Sequence, residues 1–170
     1  WLAQRASCTL SLASRGGVIA RAMAGEWERV QQLLARMARP LRLVGVWHAA
    51  GVLADGILAS QTAASLARVY APKTHGAWAL QRACGAVVLR ACALFSSVAG
   101  LLGGAGQANY AAANVCLDAL AQCRRVCSHA GVAVQWGAWA EVGMAARGAA
   151  AARMAAMEAA SGIGRIGLAQ

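Results

Sequence analysis

The stretch ALFSSVAGLLGGAGQANYAAANVCLDALAQCRRVC, residues 93–127, decides the fold. Its front closes an apolar run, Val87 to Val98, that reads as a strand buried in a parallel sheet. Gly100, Gly103, Gly104 and Gly106 interrupt the chain, and Gln107 to Cys127 then read as one helix. Open α/β sheets place their sites where a strand end meets a helix start. Ala91 to Leu117 is an uncharged run of 27 residues, long enough to cross a bilayer. Ser96, Ser97, Gln107, Asn109, Tyr110 and Asn114 lie inside it with the four glycines, so strand–loop–helix is the better account and no membrane span is expected.

Outward from this unit the same alternation continues. Leu43 to His48 and Val132 to Gly137 read as further buried strands, and Thr9 to Ala13 as another. Glu26 to Arg39 reads as a helix stopped by Pro40, with Trp27, Val30, Leu33, Leu34 and Met37 at helical spacing. Ser60 to Tyr70 and Pro72 to Ala83 read as two helices, Pro72 sitting in the first turn of the second. Ala145 to Ala160 reads as an amphipathic Ala/Met-rich helix. The expected fold class is α/β: a Rossmann-like parallel sheet with helices on both faces.

Four side chains in this frame carry chemistry. The basic residues are fifteen Arg and one Lys, Lys73; Ser97 follows it by 24 residues, Tyr110 follows Ser97 by 13, and Asn114 follows Tyr110 by four. A ketone reduced by hydride becomes an alkoxide and needs a proton as that charge develops. A phenol, ordinarily near pKa 10, can give one if a neighbouring ammonium brings it toward neutrality. A serine hydroxyl can donate to the same oxygen. Tyr110 and Asn114 lie one helical turn apart and share a face.

The words around these residues are HAAGVLADG (48–56), YAPKTHGAWAL (70–80), ALFSSVAGLLGGAGQANYAAAN (93–114) and VAVQWGAWAEVGMA (132–145). They resemble the ketoreductase domain of modular polyketide synthases, a branch of the short-chain dehydrogenase/reductase superfamily. In most of that superfamily a lysine follows the tyrosine by four residues. Here Asn114 stands there and Lys73 lies upstream, the swap characteristic of polyketide and fatty-acid synthase ketoreductases. The resemblance implies Tyr110 as proton donor, Lys73 as its tuner and holder of the nicotinamide ribose, Ser97 on the ketone oxygen, and Asn114 positioning Lys73 or a relay water. It further implies NADPH, with Ser14 and Arg15 at the 2′-phosphate and His48, Ala49, Ala50 and Gly51 as a turn against the cofactor. Trp136 and Gly137 would lie in the loop facing the nicotinamide, although Trp136 and Trp139 read equally well as core aromatics. Leu53-Ala54-Asp55 stands where the family carries a Leu-Asp-Asp stereochemical marker. Asp55 keeps its last position, and Leu102 replaces the tryptophan of the opposite class. Together with Gln107 these imply a D-configured β-hydroxyl. Implied partners are an acyl carrier protein bearing a phosphopantetheine-bound β-ketoacyl substrate and the other domains of a polyketide synthase, in the cytoplasm. Ala145 to Ala160 would form part of a lid.

The 170 residues suit a single, partial domain, matching best over 43–145. No G-x-G-x-x-G turn precedes Arg15, and Arg39 to Leu43 leaves no room for the strand the family carries there. The first glycine-rich βα unit and one further strand are expected to be missing. A truncated or degenerate copy with a structural role only is therefore the alternative. No secretory signal is read at the start. The net charge of +10 comes from dispersed arginines, with only Arg124 and Arg125 adjacent, so no nucleic-acid surface is expected. The six cysteines form no Cys-x-x-Cys, so they read as reduced thiols and no metal site is expected.

Overall fold

The computed structural model describes residues 43–141 continuously, together with 146, 151–152, 155–156, 158–159, 162 and 164–167. Three strands are described: β1 (Gly45–His48), β2 (Ala91–Ser97) and β3 (Val132–Trp136). They form one parallel sheet in the order β1-β2-β3, with Gly45 opposite Ala91 and Ser97 opposite Trp136. Each falls inside its expected stretch, and β2 is shorter than the apolar run because Val87–Arg90 leads into it as a loop.

The helices are α1 (Ala63–Tyr70), α2 (Gly76–Ala83), α3 (Ala99–Leu102) and α4 (Ala108–Val126). Cys92 and Leu94 of β2 pack with Ala77 of α2, with Cys84 at its C-terminal cap, and with Leu117, Leu120 and Ala121 of α4 in the main core. Both helices therefore cover the same sheet face, the period-2 alternation of β2 sending Cys92, Leu94 and Ser96 to that side. On the other side Phe95 meets Trp136, and Trp136 meets Trp139, with centroids 5.6 Å and 5.3 Å apart. The strand expected at 9–13 and the helix at 26–39 lie outside the described residues. So do Ser14, Arg15, the positions expected to lack a glycine turn and a strand, and much of the helix expected at 145–160.

Where two helices were expected around Pro72, the structure has one continuous helical course. α1 runs into a π-turn, Ala71–His75, which runs directly into α2. Proline has no N–H and its ring presses on the carbonyl four residues back, here Arg68. Widening the turn accommodates it, and Gly76 N–H bonds back to Ala71 O in the five-residue step of a π-turn. Lys73, in the middle of this turn, is buried.

The adjacent arginines have a local task. Arg124 is buried; its Nε donates to Ala130 O at 2.7 Å and its Nη1 to Gln81 Oε1. Arg125 Nη1 reaches Gly131 O at 3.0 Å. The pair secures the turn from α4 into β3, where Ser128 takes a left-handed φ of 59°. Cys84, Cys92, Cys116, Cys123 and Cys127 are free thiols, and Cys8 lies outside the described residues. No described helix is long and apolar enough to cross a membrane.

Candidate active site

The site forms where β2 ends, α4 begins and the π-turn passes beneath them. Lys73 is only 3% exposed. Its Nζ donates to the Phe95 carbonyl at 2.9 Å and lies 5.3 Å from the centroid of the Tyr110 ring. Burial lowers its pKa from the usual 10.5 to about 8, with Asp118 pulling the other way. An amine at about 8 is still some ten-to-one protonated at pH 7. A cation is thus held against an aromatic ring in a poorly solvated place.

Tyr110 sits in the first turn of α4 and is 9% exposed. Burial is the largest influence on its phenol and raises its pKa above 10; hydrogen bonding to Asn114 and Ser97 lowers it by less, and Asp55 raises it. Desolvation outweighs the hydrogen bonds, and the phenol stays protonated at neutral pH. Ser97 ends β2, and its Oγ accepts from Ala99 N–H at 3.2 Å, which leaves its own O–H free to donate. The neighbouring Ser96 is turned to the core face, where its Oγ donates to Asn114 O at 3.3 Å. Asn114 is fully buried; its Nδ2 donates to Tyr110 O at 2.8 Å, and its Oδ1 has no hydrogen-bond partner. Lys73, Ser97, Tyr110 and Asn114 are thus brought together.

The other expected residues fall around this centre. His48, at the end of β1, is buried, and its Nε2 lies 2.9 Å from Lys73 O. Since that partner is a carbonyl, Nε2 carries the proton. Ala49 and Ala50 are exposed and Gly51 is half-buried, so the turn after β1 offers accessible backbone beside the site. Asp55 Oδ2 accepts from Gln107 Nε2 at 3.3 Å. Leu102, at the end of α3, is 63% exposed. Trp136 stacks within the aromatic row, and a Cβ on Gly137 would come within 3.2 Å of Ile166 Cδ1. Asn109, which sequence reading passed over, is buried and bonds both the Asp55 segment and Tyr110. The signal was available: asparagine favours the starts of helices because its amide bonds nearby backbone.

This donor set fits the nicotinamide half of a dinucleotide. A cation, a phenol and an orphaned buried acceptor, Asn114 Oδ1, converge next to an uncharged small-residue turn. The residues expected at the 2′-phosphate lie outside the described part of the chain.

A family model described as the KR domain matches residues 3–141. The chain belongs to the ketoreductase family of modular polyketide synthases. This ketoreductase chain is 51% identical over 125 residues to polyketide synthase GfsB of Streptomyces halstedii, covering 74% of the chain and 2% of that protein. To the spectinabilin polyketide synthase system protein NorB of Streptomyces orinoci it is 45% identical over 141 residues, covering 81% of the chain and 6% of that protein. Among solved structures it is similar to A-type ketoreductases from a modular polyketide synthase, with a TM-score of 0.72 and 38% identity over 79% of the chain and 28% of theirs. It is also similar to a ketoreductase domain from the bacillaene assembly line, with a TM-score of 0.74 and 31% identity over 83% of the chain and 35% of that one. The ketoreductase chain thus spans a small fraction of its curated relatives and about a third of the solved domains. Within it, the Rossmann-like fold is the family's, and the described residues supply three parallel strands of it.

Proposed function

We propose that the chain carries the catalytic half of an NADPH-dependent ketoreductase, reducing a carrier-protein-tethered β-ketoacyl thioester to the β-hydroxyacyl thioester. One observation carries this reading: the Lys73 ammonium lies 5.3 Å from the centroid of the Tyr110 ring, with Ser97 at the end of β2 and Asn114 bonded to the Tyr110 main-chain carbonyl. When bound, the nicotinamide cofactor supplies the hydride. Tyr110 gives its phenolic proton to the ketone oxygen as charge grows there. Lys73 stabilises the phenolate left behind. Ser97 donates its free O–H to the same oxygen and holds the ketone in place. Asn114, fixed through its Nδ2 to Tyr110 O, presents Oδ1 as an acceptor for Lys73 or for a water that re-protonates the phenolate.

Asp55 beside Gln107 supports a D-configured hydroxyl, through the Leu53-Ala54-Asp55 marker and the lack of a tryptophan at Leu102. Ser14 and Arg15 are assigned to the 2′-phosphate, where a guanidinium fork matches the anion, and the His48–Gly51 turn to the ribose. The partners are an acyl carrier protein and the other synthase domains, in the cytoplasm.

The test is turnover of a β-ketoacyl thioester mimic with NADPH, comparing wild type with Tyr110→Phe. General-acid loss costs about 10²–10⁴-fold, and equal rates would refute Tyr110 as the acid. The second reading is a ketoreductase-like fragment with a structural role only and no turnover. NADPH titration separates the two: saturable binding supports the enzyme, and no binding supports the fragment.

A further inference from the structure

Taking the function above as its basis, we infer that Asn109 is a positioning residue that locks the Asp55 segment to the proton donor and so sets which face of the ketone is presented to the hydride while Tyr110 protonates its oxygen. Residues 49–57 belong to no helix or strand, so the position of Asp55 depends on what holds that segment. Asn109 is 3% exposed. Its Nδ2 donates to Ala54 O at 2.8 Å, and its Oδ1 accepts from Tyr110 N–H at 2.7 Å. One planar amide therefore ties the residue before Asp55 to the residue that bears the phenol.

Two further contacts run along the same seam. Gly56 N–H donates to Gly106 O at 2.8 Å, and Gln107 Nε2 donates to Asp55 Oδ2 at 3.3 Å. Gly106 has a φ of +71°, and a Cβ there would stand 3.5 Å from the N, C and O of Gly56. The seam is thus backbone against backbone, with Leu53 and Ala54 packed on Val69, Ala99, Tyr110 and Ala113. Asn109 is the member that reaches the tyrosine itself. Only a side chain that donates and accepts together can bridge the Ala54 carbonyl and the Tyr110 amide. An aspartate keeps the acceptor toward Tyr110 but sets a carboxylate oxygen against the Ala54 carbonyl.

Asn109→Asp and Asn109→Ala test this by amide hydrogen exchange on the full chain and by the epimer ratio of the hydroxy product from a β-ketoacyl thioester with NADPH. In wild type the Tyr110 amide, in the first turn of α4, is expected to be protected although no helical carbonyl serves it. Asn109→Asp should speed exchange at Gly56 about tenfold and spare Tyr110; Asn109→Ala should speed both. The minor epimer should rise about tenfold in both variants, with a smaller change in KM. An unprotected wild-type Tyr110 amide, or variants with wild-type exchange at Gly56 and an unchanged epimer ratio, would overturn the inference. A wild-type chain that binds no NADPH and makes no product sinks the reductase reading instead, and exchange at Gly56 and Tyr110 then decides the lock by itself.

Discussion

His48 holds Lys73 by its backbone. The imidazole Nε2 at the end of β1 lies 2.9 Å from the Lys73 carbonyl in the π-turn, while the Lys73 ammonium reaches the opposite way to Phe95 O in β2. The two strands therefore grip one residue at both ends. Removing the imidazole leaves a carbonyl without its donor, worth about 1–3 kcal/mol where it is buried, and frees the turn that aims the ammonium. His48→Ala should lower unfolding free energy by that amount in denaturant titration and reduce kcat more than it raises KM. Unchanged kcat would show that the turn aims Lys73 unaided.

The same histidine makes stability pH-dependent. Burial is the largest influence on its pKa and lowers it below 6.5, with the Lys73 charge adding to this and the bond to Lys73 O opposing it. Below pH 6.5 the unfolded chain binds a proton that the folded chain resists. Stability attributable to His48 is therefore whole above pH 6.5 and is lost as pH falls toward the folded pKa. His48→Gln should flatten this acid-side slope in denaturation series across pH 5–7; an unaltered slope assigns it to other groups.

Much of the site was legible because it is local or periodic. The β2–α4 unit follows from an apolar run, a glycine cluster and a helical stretch, and the four-residue step from Tyr110 to Asn114 puts them on one face whatever else the chain does. Lys73 was legible as a residue but not as a geometry. Pro72 reads as a helix start because the sequence shows its missing N–H and not the widened turn that absorbs it. The roles of His48 and Asn109 rest on side-chain-to-backbone bonds spanning 25 and 55 residues, which leave no periodic trace. The direction of the Tyr110 shift depends on burial, which only packing reveals.

Lys73 should also shape the pH dependence of turnover. Reduction needs a protonated phenol and a charged amine beside it. The phenol lies above 10 and the amine at about 8, so the amine loses its proton first on the alkaline side. For the free enzyme kcat/KM should hold level through neutrality and fall above about pH 8. Lys73→Arg, which stays charged, should move that limb upward even where it lowers the plateau. A limb that stays near pH 8 in Lys73→Arg would assign it to another group.

A capping box starts the helical course that carries Lys73. Thr62 Oγ1 accepts from Ser65 N–H at 3.1 Å, and Ser65 Oγ accepts from Thr62 N–H at 2.9 Å. Thr62→Ala removes one arm and should cost about 1 kcal/mol. The whole of α1 separates this cap from Lys73 in the π-turn, so kcat should stay within twofold; a larger fall would show that α1 and the π-turn move as one body.

The buried ammonium sets function against stability. A folded pKa of about 8 against 10.5 unfolded means that the folded chain binds fewer protons between those values. Stability should therefore rise with pH from 8 toward 10.5, as the cost of burying the charge is relieved. At pH 7 that cost is present, of order 3 kcal/mol from the shift with the attraction of Asp118 already included. Lys73→Met keeps the length and apolar bulk of the stem while removing the charge. It should raise unfolding free energy at pH 7 by about 1 kcal/mol or more, erase the alkaline rise, and reduce turnover at least about a hundredfold. The opposite result, a Met variant less stable than wild type at pH 7 with the rise intact, would mean that Lys73 is held there for packing and hydrogen bonding rather than for its charge.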